Sequence, residues 1–184
     1  MLSDDIAGIV LDHDGSPVVI PAFPRTKLWA DSAQRLGRDI TTLPRVRPRQ
    51  EKYEIATHDQ FAREPTNPHQ IYLLTTSNTD ELRLEAVDRI RRFGVVLHNT
   101  YRVSFLDGLS LRAPHFRLAS AVAKAVPVTR VIRPHDPNRL NELVDMIEQD
   151  YRQTAERARI IPFSHEPVIN PFRSAPLASD RRAA

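Results

Sequence analysis

Cysteine is absent from this chain of 184 residues, and glycine, tryptophan and long apolar runs are scarce. The absence of cysteine excludes disulfides, thiolate nucleophiles and cysteine-ligated zinc. The apolar runs are much shorter than the roughly 20 residues that a membrane-spanning helix needs. The sequence also has no basic segment leading into a long apolar stretch, the pattern of a secretory signal. These absences predict a soluble, cytoplasmic protein with no membrane partner.

Charges of the two signs are nearly balanced, with 26 Lys and Arg against 23 Asp and Glu. Because the basic residues are interleaved with acids, the net charge of +3 does not indicate nucleic-acid binding. The densest basic stretch, residues 44–49, is short. Together with Lys52 it is interrupted by prolines and has only Tyr53 near it, whereas nucleic-acid surfaces interleave basic with aromatic residues. The seven histidines lack ligand spacing, which argues against zinc.

Local patterns predict strands in the first half of the chain and helices mostly in the second. Ile6–Val10 and Pro17–Ile20 are expected to form a hairpin around the Asp12–Ser16 turn, whose acids are interpreted as turn residues rather than metal ligands. Pro21–Lys27 and most of residues 39–68 are predicted to be irregular. The other predicted strands lie near Tyr53–Ala56, Ile71–Leu74, Leu82–Val87 and Val128–Ile132. Two helices are predicted at Trp29–Leu36 and His115–Val126, and a third starts at Asp136-Pro137. A fourth is predicted from the helical spacing of Ile90, Phe93, Leu97 and Tyr101.

These elements indicate an α/β to α+β class, with a mixed β-sheet and packed helices. We expect one domain over residues 1–158 and a Pro-rich, flexible tail over residues 159–184.

An acid pair, Asp4 and Asp5, stands immediately before the first apolar strand. Carboxylate oxygens are the ligands that Mg²⁺ prefers, usually one or two of them together with phosphate oxygens. A second acid can orient the nucleophile in phosphoryl transfer. Taken alone, adjacent acids at such a position are more often simply solvated.

The context of the acid pair carries a resemblance. The stretch Leu2-Ser3-Asp4-Asp5-Ile6 is followed, after one hairpin, by Pro21-Ala22-Phe23-Pro24-Arg25-Thr26-Lys27-Leu28-Trp29. This combination resembles the HPr kinase/phosphorylase family and its HPr-kinase-like serine kinases, and residues 99–102 and 126–130 are also similar. Over about residues 2–150 the resemblance implies part of a PEP-carboxykinase-like nucleotide-binding fold. It implies ATP and Mg²⁺ as cofactors, and transfer of a phosphoryl group to a Ser of a protein or peptide.

The resemblance also implies roles for individual residues. Asp4 and Asp5 match the acids that bind Mg²⁺, and Asp5 would in addition be catalytic. Arg25 and Lys27 match basic positions that neutralise phosphate charge. Arg102 is a further candidate anion ligand, with pairing to the helix dipole as its alternative role.

The chain departs from the family in one respect. No two of its five glycines have the spacing of a phosphate-binding loop ending in Gly-Lys-Ser/Thr, which in the family precedes the acid pair. We therefore expect a kinase domain that is incomplete by itself, and that forms a homo-oligomer or docks with a complementing chain. The alternative is a catalytically inactive protein- or peptide-binding module derived from that fold.

Overall fold

The computed structural model describes residues 1–136 and 139–159. Within them the strands are β1 (Gly8–Leu11), β2 (Pro17–Ile20), β3 (Arg25–Trp29), β4 (Lys52–Ala56), β5 (Ile71–Ser77), β6 (Arg83–Ala86) and β7 (Val128–Pro134). The α-helices are α1 (Ala30–Arg35), α2 (Arg89–His98), α3 (Phe105–Gly108), α4 (Arg112–Ala125) and α5 (Leu140–Arg159). The helical start at Pro137 and the predicted tail, apart from Arg159 at the end of α5, lie outside the described residues.

The largest sheet has three strands in the order β5-β7-β6. The central strand β7 runs parallel to β5 and antiparallel to β6. Its β-branched residues suit a strand that is buried on both faces, and Val128, Val131 and Ile132 are all buried. This mixed sheet with packed helices confirms the α+β content that the sequence predicts.

Helix α4 joins the hairpin of β1 and β2 to the core. It contacts both hairpin strands and also packs against α2. Its buried face consists of small and branched side chains, Ala119, Val122 and Ala123, which permit a close approach to the fully buried Val18 of β2. Burying an aliphatic side chain of this size contributes about 1.5–3 kcal/mol.

The β1–β2 hairpin confirms the predicted turn. The Asp12 carboxylate accepts hydrogen bonds from the backbone N–H groups of Asp14 and Ser16, at 3.0 and 2.8 Å. Gly15 has a φ of 78°, a conformation that glycine adopts without strain.

The prediction for Pro21–Lys27 was wrong in its second half, because Arg25–Trp29 forms strand β3. The prolines do not prevent this strand, because the nearest one, Pro24, lies just before the first paired residue. β3 pairs antiparallel with β4, so that Lys27 faces Glu54 and Trp29 faces Lys52. More than 20 residues separate the two strands in the chain, so local patterns did not reveal the pairing.

The predicted apolar stripe of α2 was wrong at both ends. Ile90 is 93% exposed, and Tyr101 lies beyond the helix, which ends at His98. The middle of the stripe does pack, since the Phe93 ring meets Phe116 of α4 edge to face with ring centroids 5.1 Å apart. Ile90 therefore takes no part in the contact between α2 and α4 that Phe93 makes.

Helix α5 is tied to the sheet by a polar network as well as by the buried Leu143. The Asp150 carboxylate accepts hydrogen bonds from the Tyr72 hydroxyl and the Gln70 amide, each at 2.9 Å. Partial burial, together with this hydrogen bond to a carboxylate, raises the pKa of Tyr72 above its ordinary value.

No helix within the described ranges combines the length and the apolar character that crossing a membrane requires.

Candidate functional site

The segment that carries the acid pair runs beside strand β3. The Ala22 backbone N–H donates to the Leu2 carbonyl oxygen at 2.9 Å, which holds the segment next to the approach to β3. The opposite side of β3 is paired with β4. The acid pair therefore lies on the outer edge of the two-stranded β3–β4 ribbon.

Asp4 binds this outer edge with both carboxylate oxygens. Its Oδ2 accepts a hydrogen bond from the Lys27 backbone N–H at 2.9 Å, and its Oδ1 accepts one from the Thr26 hydroxyl at 2.8 Å. Each carboxylate oxygen can accept a second bond, so Asp4 keeps some capacity for a ligand. Its first role in the structure is nevertheless to attach the N-terminal segment to β3.

Asp5 lies between two ammonium groups. Its Oδ2 is 3.7 Å from Lys27 Nζ and 3.5 Å from Lys52 Nζ. Lys27 and Trp29 share a face of β3 because alternate residues of a strand do so, and Lys52 of β4 stands opposite Trp29. The Lys52 ammonium also lies 5.8 Å from the Trp29 ring centroid. The Asp5 side chain is 48% exposed, so the group is open to solvent and to a ligand.

Arg25 is on the same face of β3 but has another partner. Its Nη1 lies 3.0 Å from the Glu54 carboxylate, and its guanidinium lies 5.1 Å from the Phe23 ring centroid. A half-exposed ion pair of this kind contributes about 0–1 kcal/mol, so a phosphate group could displace Glu54 at little cost. The structure thus brings Asp4, Asp5 and Lys27 together and leaves Arg25 adjacent to them.

Asp5 offers a carboxylate, the kind of ligand that Mg²⁺ prefers, and its neighbours are two ammonium groups. In the described part of the chain, His, Asp and Glu side chains form no group of three or more that could hold a metal by themselves. An ion at Asp4 and Asp5 would need additional oxygen ligands, which Mg²⁺ usually takes from phosphates and water. The two carboxylates are balanced by two ammonium groups, which could pair with those phosphates. The two carboxylates are thus too few to hold Mg²⁺ without such a ligand.

An open cavity of about 430 Å³ lies next to Thr26, the residue whose hydroxyl contacts Asp4. Thr26, whose hydroxyl contacts Asp4, lines it together with Leu28, Ile55 and the polar residues Arg38 and His58. Because Thr26 and Leu28 alternate with Lys27, the cavity lies on the opposite face of the ribbon from the two ammonium groups. Its volume is in the range of small-molecule sites.

Arg102 lies in a different part of the molecule. It occupies the connection between α2 and α3 with a φ of 50°, and its guanidinium is 5.1 and 5.4 Å from the ring centroids of Tyr101 and Phe105. Across the described residues, no hydrogen bond or ion pair joins Arg102 to the acid pair.

Sequence reasoning missed Lys52 as a site residue. In the sequence, Lys52 follows the arginines of residues 45–49 and belongs with them to a weak nucleic-acid signal. Its position depends on the register of β3 against β4, which pairs Trp29 with Lys52 across a long connection. The alternation of polar Lys52 and Glu54 with apolar Tyr53 and Ile55 indicates a strand, but it does not indicate which strand pairs with it.

No protein-family model matches the chain. No curated protein and no solved structure is significantly similar to it.

Proposed function

We propose that this chain supplies the metal- and phosphate-binding part of an Mg²⁺- and ATP-dependent serine kinase of the HPr-kinase-like group, with a PEP-carboxykinase-like fold. One observation carries the proposal: the acid pair, from a separate segment, contacts strand β3 through Asp4 and the ammonium groups of Lys27 and Lys52 through Asp5. A resemblance between short motifs did not require this convergence. Asp4 and Asp5 could instead have extended into solvent away from Lys27.

Each residue then has a role that follows from its contacts. Lys27 and Lys52 would neutralise phosphate oxygens as point charges, and Arg25 would add a planar donor pair on release from Glu54. Asp4 positions the segment through Thr26 and the β3 edge. Asp5 would hold the metal, and would accept the proton of the substrate Ser hydroxyl. Bound Mg²⁺ would supply neutralisation of charge on the transferred phosphoryl group.

A phosphate-binding loop is not among these 184 residues, as the glycine spacing shows. In the proposed enzyme, another polypeptide segment provides the backbone N–H groups that cradle the triphosphate. The chain alone is therefore expected to bind Mg-ATP weakly, with a dissociation constant on the order of 1 mM, and to leave phosphoryl transfer to the completed protein.

Lysine acetylation gives a direct test, because the chain has only three lysines: Lys27, Lys52 and Lys124. Mg-ATP is expected to slow acetylation of the two site lysines several-fold, measured by mass spectrometry. Lys124 is exposed on α4 and serves as the internal control. Protection should require Mg²⁺ and should disappear in Asp5→Asn. The proposal would be refuted if Mg-ATP left the acetylation rates of Lys27 and Lys52 unchanged, as it is expected to leave that of Lys124.

The alternative, a catalytically inactive binding module of the same fold, is favoured by one feature of the site. Without any ligand, Asp5 already pairs with two ammonium groups and Asp4 already accepts the Lys27 backbone N–H. In that case the cluster only fastens the N-terminal segment to the ribbon. Isothermal calorimetry would then show no heat with Mg-ATP for the chain or for Asp5→Asn, while Asp5→Asn would still lower the unfolding temperature.

A further inference from the structure

The helical region of residues 89–125 has an extreme charge composition. It holds seven of the 26 basic side chains and one of the 23 acidic ones, a net charge of +6, whereas the whole chain carries +3. The remainder of the chain is therefore at −3. The single acid, Asp107, is occupied by a bidentate pair with Arg112. The other cations of the region have no acid of their own segment to neutralise them.

The same region exposes large apolar side chains. They cluster between the end of α2 and the first half of α4: Tyr101, Val103, Phe105, Leu109, Leu111 and Phe116. Phe116 is 58% exposed even though its ring contacts Phe93, and Leu109 is 62% exposed. Six such residues within 16 positions are more than a protein surface normally leaves to water, and such patches mark interaction sites.

Two residues of this cluster, Val103 and Phe116, line a groove. The groove has a volume of about 650 Å³ and an apolar floor formed by Leu97, Val103, Leu106 and Phe116. Arg112 and Arg117 lie at its rim, and Arg102 adjoins it in the α2–α3 connection. Aliphatic side chains thus form the floor, and guanidinium groups form the border.

We propose that this groove docks an acidic amphipathic helix of a partner protein. The apolar anchors of such a helix, spaced i, i+3, i+4 and i+7, would fill the floor, and its Asp and Glu residues would pair with Arg102 and Arg117. The proposal does not depend on the kinase assignment, because the groove shares no residue with the acid pair and its lysines.

Charge complementarity selects this occupant over the others. A second copy that presents the same face would place +6 against +6. Residues 160–184 of this chain carry a net +1 and so lack the required acidity. A nucleic acid would stack its bases on aromatic faces, whereas most of the groove floor is aliphatic. An acidic helix satisfies both the charge and the apolar floor.

The test uses three fluorescein-labelled probes and the full chain. The first is a synthetic 20-residue helix with Leu at the four anchor spacings and Glu on the flanking positions. The second has the same composition in scrambled order, and the third is a single-stranded oligonucleotide of equal charge. Fluorescence anisotropy is expected to show micromolar binding of the first probe, and at least tenfold weaker binding of the other two.

Matched double reversals locate the contact. Arg102→Glu with Arg117→Glu is expected to weaken binding of the amphipathic helix at least tenfold. Arg47→Glu with Arg49→Glu changes net charge equally on another exposed loop, and is expected to weaken it less than twofold. Val103→Ser, at an exposed position, should weaken it several-fold by removing floor area. Equal effects of the two double reversals, equal binding of the scrambled probe, tighter binding of the oligonucleotide, or no binding of the amphipathic helix would overturn the proposal.

Discussion

The acid-pair site and the surface of residues 89–125 differ in whether their charged side chains have partners of opposite charge. On the β3–β4 ribbon, Asp5 has Lys27 and Lys52 beside it, and Arg25 has Glu54. Between residues 89 and 125, one acid faces seven cations. Paired charges of the first kind hold segments of the chain to one another. Cations without an acidic partner in the chain remain available to bind another molecule. In the free protein these cations repel each other.

This difference predicts unequal responses to the same reversal of charge in the two regions, and this is the largest effect that we expect. Lys52→Glu places a carboxylate beside Asp5 and removes the cation over Trp29, so it should lower the free energy of unfolding by roughly 1–2 kcal/mol. Arg117→Glu makes the same change of charge on the like-charged surface and should stay within about 0.5 kcal/mol of wild type. Urea denaturation measures both.

Lys52→Gln separates repulsion from loss of contact and should fall between wild type and Lys52→Glu. If Lys52→Glu and Arg117→Glu change the unfolding free energy equally, the contrast between the two regions is not real.

A smaller effect is expected when Asp4 is shortened. Asp4→Ala removes the acceptors for the Thr26 hydroxyl and the Lys27 N–H, two partly solvated hydrogen bonds, and should lower the free energy of unfolding by about 1 kcal/mol. Glu64→Ala, at an exposed position, is the control and should have no measurable effect. A neutral Asp4→Ala would mean that the N-terminal segment is not held by this carboxylate in solution.

The smallest effect concerns the one paired acid of the like-charged surface. The hydrogen bonds from Arg112 hold the pKa of Asp107 below its usual value near 3.8. A lowered pKa in the folded state adds stability that is present above pH 4 and is lost as the pH falls through the folded-state value. Between pH 5 and pH 2 the unfolding temperature of wild type should therefore fall slightly more steeply than that of Asp107→Asn. Asp145→Asn is the exposed control, and identical slopes for wild type and Asp107→Asn would contradict the pairing.

The sequence was sufficient for elements whose signals are local. Asp12, Gly15 and the flanking apolar residues predicted the β1–β2 hairpin, and the β-branched run from Val128 predicted β7. The sequence was insufficient for elements whose structure depends on pairing between distant segments of the chain. Strand β3 and the position of Lys52 both depend on the β3–β4 register, and the two strands are far apart in the chain.

The charge analysis shows a second reason for missed features. Basic and acidic residues are interleaved along most of the chain, and the sequence analysis extended that description to all of it. Residues 89–125 are the exception, and a count by predicted helix would have found it. The exposure of Phe116 and Leu109 could not have been found in this way, because it depends on how α2, α3 and α4 pack.

The Asp4 contact also has a consequence for handling the protein. By accepting the Lys27 N–H, the carboxylate substitutes for a neighbouring strand along the outer edge of β3. If a protease cut the chain on the C-terminal side of Asp5, the outer edge of β3 would lose the Asp4 carboxylate while we expect the core to stay folded. Uncovered strand edges recruit other chains. The first sign of such degradation would be filaments or turbidity on storage, before any loss of helical circular dichroism.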